Sequence, residues 1–257
     1  EWMKQTGKFY GIGVGPGDPE LMTLKAVRRI RECDIVVLPV SNRELTEPLL
    51  LEQNEVEVEN RAAGYLESCT AYQIAVQTVS ELKEKRIFFL PMPMIKDKEK
   101  LKKIHAQGAE AIEQLLEKGW NLAFLTLGDP TVYSTCMYVE QMMEQDGYQV
   151  ETVSGIPSFC AAAARLNQPL GEQEEQIHIL PGSYESGEGL QLPGTKILMK
   201  TGRKMGKIKE FLQESSQDIC LVENCGMDKE RIVRSVEEIS EDMGYYSLLI
   251  VKDKKKQ

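Results

Sequence analysis

Wholly apolar runs alternate along the first half of this chain with stretches whose apolar positions recur every three or four residues. Lys8 to Val14 reads as a strand. Glu20 to Glu32 reads as a helix, with Leu21, Leu24, Val27 and Ile30 at helical spacing. Ile35 to Leu38 is a short apolar run ending at Pro39, which suits a strand buried on both faces. Ala71 to Lys85 is amphipathic and is followed by the strand-like Arg86 to Leu90. Leu101 to Lys118 predicts a helix that Gly119 terminates, and Leu122 to Leu127 is apolar again. This alternation predicts a parallel sheet covered by helices. The second half differs. Val150–Val153, Ile177–Leu180, Lys196–Thr201, Ile219–Val222, Ile232–Val233 and Tyr245–Val251 are strand candidates with fewer helices between them, which predicts a mixed sheet. Gly182 to Gly194 reads as a loop. The expected architecture is two α/β domains, residues 8–120 and 121–251, with the boundary near 119–127.

Composition narrows the function classes. The chain is 42% apolar and 28% charged, ordinary for a globular protein, and 31 basic against 40 acidic residues give a net charge of −9. That argues against nucleic acid as the main partner but allows an anionic small molecule in a local basic patch. Cys33, Cys69, Cys136, Cys160, Cys220 and Cys225 form no C-x-x-C pair, and no histidine stands beside the closer two. Free thiols in a reducing cytoplasm are expected, not a metal site or a disulfide framework. No stretch approaches the roughly 18 apolar residues of a membrane span, and Glu1 to Gly7 lack the apolar run of a signal peptide.

Three segments look like strand ends turning tightly into helices, the place where α/β proteins bind small molecules. Gly11, Gly13, Gly15 and Gly17 form the first. Such glycines suit a dinucleotide turn, yet Pro16 and Pro19 remove amide donors, and the second strand lacks a ribose-binding acid at its end. In the second, Gly128-Asp129-Pro130, Asp129 is placed either to accept hydrogen bonds from a ligand or to cap the next helix, whose first turn would hold Tyr133, Ser134 and Thr135. In the third, Ser154 to Ser158 leads into a helix whose Ala161–Ala164 run serves close packing or leaves room for a ligand. His105 reads as solvated, His178 alternates with Ile177 and Ile179, and no nucleophile elbow is present.

Taken together, these segments resemble those of the tetrapyrrole (corrin/porphyrin) methylases. The matching pieces are Gly11-Ile-Gly-Val-Gly-Pro-Gly-Asp-Pro-Glu-Leu-Met-Thr23, Cys33-Asp-Ile-Val-Val-Leu-Pro39, Leu127-Gly-Asp-Pro-Thr-Val-Tyr133, Val153-Ser-Gly-Ile-Pro-Ser-Phe-Cys-Ala-Ala-Ala-Ala164 and Met199-Lys-Thr-Gly-Arg203. Their order and spacing span nearly the whole chain. Phe89-Leu-Pro-Met-Pro-Met94 and Ser134-Thr-Cys-Met-Tyr138 are most similar to the branch that methylates carbon-20 of precorrin-2 or cobalt-factor II. Other ring-methylating branches and diphthine synthase share the general pattern.

The resemblance implies S-adenosylmethionine as cofactor, a tetrapyrrole substrate, a cleft between the two domains and a homodimer. By motif position it implies that Gly128, Asp129, Val132 and Tyr133 hold the methionine part of the cofactor, with Ser158 and Phe159 beside it. Met199, Cys225 and Gly226 would sit near the adenine, with Ser247 and Leu248 as further contacts. Gly15, Pro16, Gly17, Asp18, Thr135 and Arg203 would face the tetrapyrrole, and Arg43, Arg61, Arg165 and Lys204 are further candidates for its carboxylates. Tyr133 and Asp18 are the candidates for the base. Outside the family, a nicotinamide-dependent oxidoreductase and a non-catalytic binding module are the rival classes.

Overall fold

The computed structural model describes residues 6–52, 56–181, 188–201, 205–240 and 243–254, with backbone alone for 56–61. Arg203 and Lys204, assigned to the substrate above, lie outside the described residues, as does the side chain of Arg61.

The first compact unit runs through Pro157 and the second begins at Ser158. The boundary expected near 119–127 is therefore moved by about one strand-helix-strand unit. The reason is pairing. The first sheet contains strands β1 (Lys8–Gly13), β2 (Ile35–Val40), β3 (Leu49–Leu51), β4 (Arg86–Pro91), β5 (Leu122–Thr126) and β6 (Gln149–Val153) in the order β3-β4-β2-β5-β1-β6. β5 lies between β2 and β1, so the unit cannot end before it, and β6 pairs with β1 on the far side. All pairs are parallel except β3 with β4 at the edge.

Helices cover both faces of this sheet. Phe9, Ile35, Val37, Phe88, Leu90 and Phe124 point to the face packed by α4 (Lys98–Glu117) and α5 (Cys136–Gln145). Residues of opposite parity, such as Ile12, Val36, Leu38 and Phe89, are equally buried on the other face. There α1 (Leu24–Glu32) packs on β1 and α3 (Thr70–Thr78) on β5. α2 (Val56–Ser68) precedes α3. The helix expected over 20–32 starts only at Leu24. Pro19–Leu21 is a separate 3-10 turn, Met22 and Thr23 are extended, and the Thr23 hydroxyl caps α1 by accepting from Ala26 N–H at 3.1 Å. Leu24 consequently stands 90% exposed while Ala26 and Ile30 fill the core. The stretch 71–85 likewise divides, with a 3-10 segment Ser80–Glu84 after α3.

In the second unit α6 (Ser158–Leu166) packs on the last strand of a mixed sheet. Its strands β7 (Ile177–Pro181), β8 (Thr195–Met199), β9 (Asp218–Glu223), β10 (Arg231–Val233) and β11 (Ser247–Lys252) run in the order β10-β9-β11-β8-β7. Only β7–β8 is parallel. Leu198, Leu221, Leu249 and Val251 pack against Ile208 and Leu212 of α7 (Met205–Gln213). All six cysteines are free thiols, and burial pushes the Cys33 thiol up to about 12. Among the described residues no helix is long and apolar enough to cross a membrane.

Candidate functional site

Parallel strands deliver their following turns to one edge of a sheet, and β5, β1 and β6 are adjacent. The three turns singled out in the sequence therefore meet. Gly15 and Gly128 exchange backbone hydrogen bonds, with Gly128 N–H to Gly15 O at 2.8 Å and Gly15 N–H to Gly128 O at 3.2 Å. Gly15 has φ +81°, a conformation that glycine adopts without steric cost. The third turn closes on the same atom. A Cβ on Gly155 would stand 2.1 Å from the Gly128 carbonyl oxygen, and one on Gly13 would stand 2.5 Å from it. Only residues without side chains let the three backbones approach so closely.

Gly11 and Gly13 are thus strand residues, and the turn proper begins after them. A Cβ on Gly11 would collide with Glu140 of α5, a buried carboxyl whose Oε2 accepts from the Thr152 hydroxyl at 2.8 Å. Burial pushes Glu140 up from the ordinary carboxylate value.

Asp129 is 6% exposed and ties the second turn to the third. Its Oδ1 accepts from the Thr131 backbone N–H at 2.8 Å and the Thr131 hydroxyl at 2.5 Å. Its Oδ2 accepts from the Ser154 hydroxyl at 2.5 Å and from Gly155 N–H at 2.9 Å. Burial alone would raise its pKa; the bonds from Ser154, Thr131 and Gly155 outweigh that and hold it below the ordinary value. Asp129 does not cap α5. Ser134 serves that end, since its hydroxyl accepts from Cys136 N–H at 3.1 Å and bonds the Thr126 hydroxyl at 2.8 Å. Tyr133 and Thr135 precede α5 and are exposed, and Tyr133 has φ +50°. Val132 is half-buried.

In the first turn, Gly15, Pro16 and Gly17 are buried, and Asp18 Oδ1 accepts from Glu20 N–H at 2.9 Å as the cap of the Pro19–Leu21 turn. Thr135 also borders an apolar cavity of about 460 Å³ between α4 and α5, where His105 lines the wall beside Ala109 and Tyr138. His105 is half-buried there, less exposed than its lysine-rich surroundings suggested. A second cavity of about 950 Å³ lies past β2, lined by Ser41, Asn42, Glu44, Glu47 and Tyr65.

In the second unit, Met199 ends β8 opposite Leu248 of β11, and Ser247 precedes Leu248 on that strand. Cys225 and Gly226 follow β9, which pairs with β11. The five residues implied for the adenine side are thereby set at or just past the ends of neighbouring strands. The Ser247 hydroxyl donates to Gly244 O at 2.8 Å, Glu223 accepts from Gly244 N–H at 2.7 Å, and Gly226 N–H donates to Glu230 at 2.9 Å. Ser158 and Phe159 open α6, Phe159 buried. Lys200 and Asn224 carry positive φ, +57° and +52°, an uncommon conformation for side-chain-bearing residues. Thr201, two residues beyond Met199, is 2% exposed, and among the described residues its hydroxyl has no hydrogen-bond partner.

Of the basic residues proposed for substrate carboxylates, Arg43 is exposed, whereas Arg165 is ion-paired with Glu230 at 2.7 Å. His178 sits with a ring nitrogen 3.0 Å from Pro193 O. Sequence reasoning did not single out Ser154, Thr131 and Thr201 as site residues. For Ser154 the signal was its place in the third turn, and for Thr201 its place in the segment Met199 to Arg203.

A family model described as Tetrapyrrole (Corrin/Porphyrin) Methylases matches residues 8–239. The chain is 34% identical over 252 residues to the probable cobalt-precorrin-2 C(20)-methyltransferase of Methanocaldococcus jannaschii, covering 97% of each. It is 25% identical to the cobalt-precorrin-2 C(20)-methyltransferase of Salmonella typhimurium, over 95% of this chain and 96% of the relative. In fold it is similar to the uroporphyrin-III C-methyl transferase from Thermus thermophilus complexed with S-adenyl homocysteine, with a TM-score of 0.64, 21% identity and coverage of 96% and 98%.

Proposed function

The chain belongs to the tetrapyrrole (corrin/porphyrin) methylases, and on that premise we propose that it transfers a methyl group from S-adenosylmethionine to carbon-20 of precorrin-2 or its cobalt-bearing counterpart, in corrin-ring (cobalamin) biosynthesis. The observation that carries this reading is the 34% identity, along the whole length, to a relative named for that position of the ring. A second relative, named for the same position, supports it.

In the first unit, Gly128, Asp129, Val132 and Tyr133 are proposed to hold the methionine part of the cofactor. In the second, Ser158 and Phe159 add to that hold, while Met199, Cys225, Gly226, Ser247 and Leu248 serve the adenine. The residues present fit such a ligand. Thr201 offers a buried hydroxyl without a partner beside Met199, and a nucleoside edge would satisfy it. Gly15, Pro16, Gly17, Asp18 and Thr135 are proposed to face the tetrapyrrole, and Arg203 is proposed to pair with its carboxylates.

When bound, the cofactor supplies a methyl group already activated on a sulfonium. The acceptor carbon is enamine-like within the conjugated macrocycle, so the task left to the chain is to align the two reactants and exclude water. That accounts for a site built from backbone and glycine with no catalytic dyad. The carbon-20 proton must leave afterwards. Asp18 and Tyr133 remain the candidates for taking it, Asp18 with Oδ1 engaged by Glu20 N–H. The enzyme is proposed to work as a cytoplasmic homodimer; the free thiols suit a reducing compartment.

The test is incubation with methyl-labelled S-adenosylmethionine and either precorrin-2 or cobalt-factor II. One labelled methyl per macrocycle is expected, located at carbon-20 by NMR. A methyl at another ring carbon would reassign the branch, and no transfer to either substrate would overturn the reading.

A further inference from the structure

The carboxylate of Asp129 has its accepting capacity filled from within the protein. A carboxylate offers about four lone-pair directions. Thr131 occupies two through its N–H and hydroxyl, and Ser154 and Gly155 occupy the other two. The residue is also 6% exposed, so its surroundings are protein. A ligand amine could bind there only by displacing one of four charge-assisted bonds.

The four donors define what the carboxylate does. Thr131 belongs to the turn after β5, while Ser154 and Gly155 belong to the turn after β6. The neighbouring Gly128 carbonyl stands against Gly13 and Gly155, at the spacing where an added Cβ would overlap it. The carboxylate therefore draws the second turn onto the third, and the glycines permit the approach that it enforces.

We infer that Asp129 is a positioning residue and not a ligand: it fixes the turn Gly128–Tyr133 against Ser154–Gly155, so that this turn meets the cofactor through its backbone. The inference deepens the cofactor assignment above and rests on it. A direct role, in which Asp129 pairs with the amino group of the methionine part, makes different predictions.

The experiment is calorimetry on the full chain with S-adenosylhomocysteine and with its deaminated analogue, in which hydrogen replaces the amino group. Wild type, Asp129→Asn and Ser154→Ala are compared, with kcat and KM for methyl transfer measured on each. Asp129→Asn is expected to weaken both ligands by the same factor, about tenfold, which is the scale of a hydrogen bond to a charged group. Ser154→Ala, which alters only the clamp, is expected to weaken both about threefold and to lower kcat. The double variant is expected to lose less than the product of the two factors, because both changes open one joint. Loss confined to the ligand bearing the amino group would overturn the inference in favour of direct contact. So would unchanged affinity and kcat in Ser154→Ala, which decides the matter alone if Asp129→Asn does not fold. A wild type that binds neither ligand would instead remove the cofactor assignment, and the inference with it.

Discussion

The turn edge of the first sheet and the Met199 end of the second carry the proposed site residues, and they are built differently. At the first, hydroxyls and carboxylate oxygens find partners inside the protein: Thr126 with Ser134, and Asp129 with Thr131, Ser154 and Gly155. At the second, Thr201 is buried with an unpartnered hydroxyl, and Lys200 and Asn224 hold left-handed backbone. The Asp129 carboxylate at one edge has its partners within the protein, and the Thr201 hydroxyl at the other has none among the described residues. Completed networks fix geometry, while an unmet buried group favours whatever satisfies it.

The opposite end of the second sheet is where that unit is braced, and it should give the largest effect. Lys196 is fully buried; its ammonium donates to Asp253 at 2.6 Å and to Gly194 O at 2.7 Å. Asp253→Ala leaves that charge unpaired and should cost about 3 kcal/mol in urea unfolding, whereas Lys196→Met, which removes the charge itself, should cost less. Equal losses would mean that packing and not charge holds this end. The contrast between the two edges is sharpened by one substitution made at each. Thr126→Val deletes a satisfied hydroxyl and should lower stability by about 1 kcal/mol, while Thr201→Val deletes an unsatisfied one and should raise it by about 1 kcal/mol in the absence of ligand. The same sign at both sites would erase the distinction.

The smallest effect concerns acid. Hydrogen bonds from Lys25 and Lys8 bring the Glu151 carboxyl, on β6, down to about 2. Its folded value lies below its unfolded one, so its contribution is present above about 4.5 and is lost as pH falls through about 2. Glu151→Gln should flatten the decline of Tm between those limits and leave the slope near neutrality unchanged. Because the ion pairs are partly solvated, the difference should shrink in high salt.

The alternation of strands and helices was legible because it rests on local periodicity. Leu122–Leu127 reads as a buried strand wherever it sits, and pattern alone says nothing about its neighbours. The misplaced boundary follows, since β5 is central and β6 joins β1 across a long stretch of chain. Leu24 fits the helical period, but the Thr23 cap starts α1 too late for Leu24 to reach the core. α2 and α7 were not anticipated as helices, because their apolar faces are interrupted or short, and the helix expected to open with Tyr133, Ser134 and Thr135 starts only at Cys136. At the site, residue type placed the three turns correctly. It could not separate ligand from cap at Asp129, and the structure shows a clamp between turns. Asp18, by contrast, is a local cap, readable from Asp-Pro followed by Glu20.

The reciprocal amide bonds between Gly15 and Gly128 bear on how such a chain tolerates genetic change. Most surface connections accept inserted or deleted residues freely. A residue added to either of these two turns would shift one partner out of alignment and leave four backbone groups stranded. Their lengths are therefore coupled despite their distance in the gene, and variation is steered toward connections that touch nothing else.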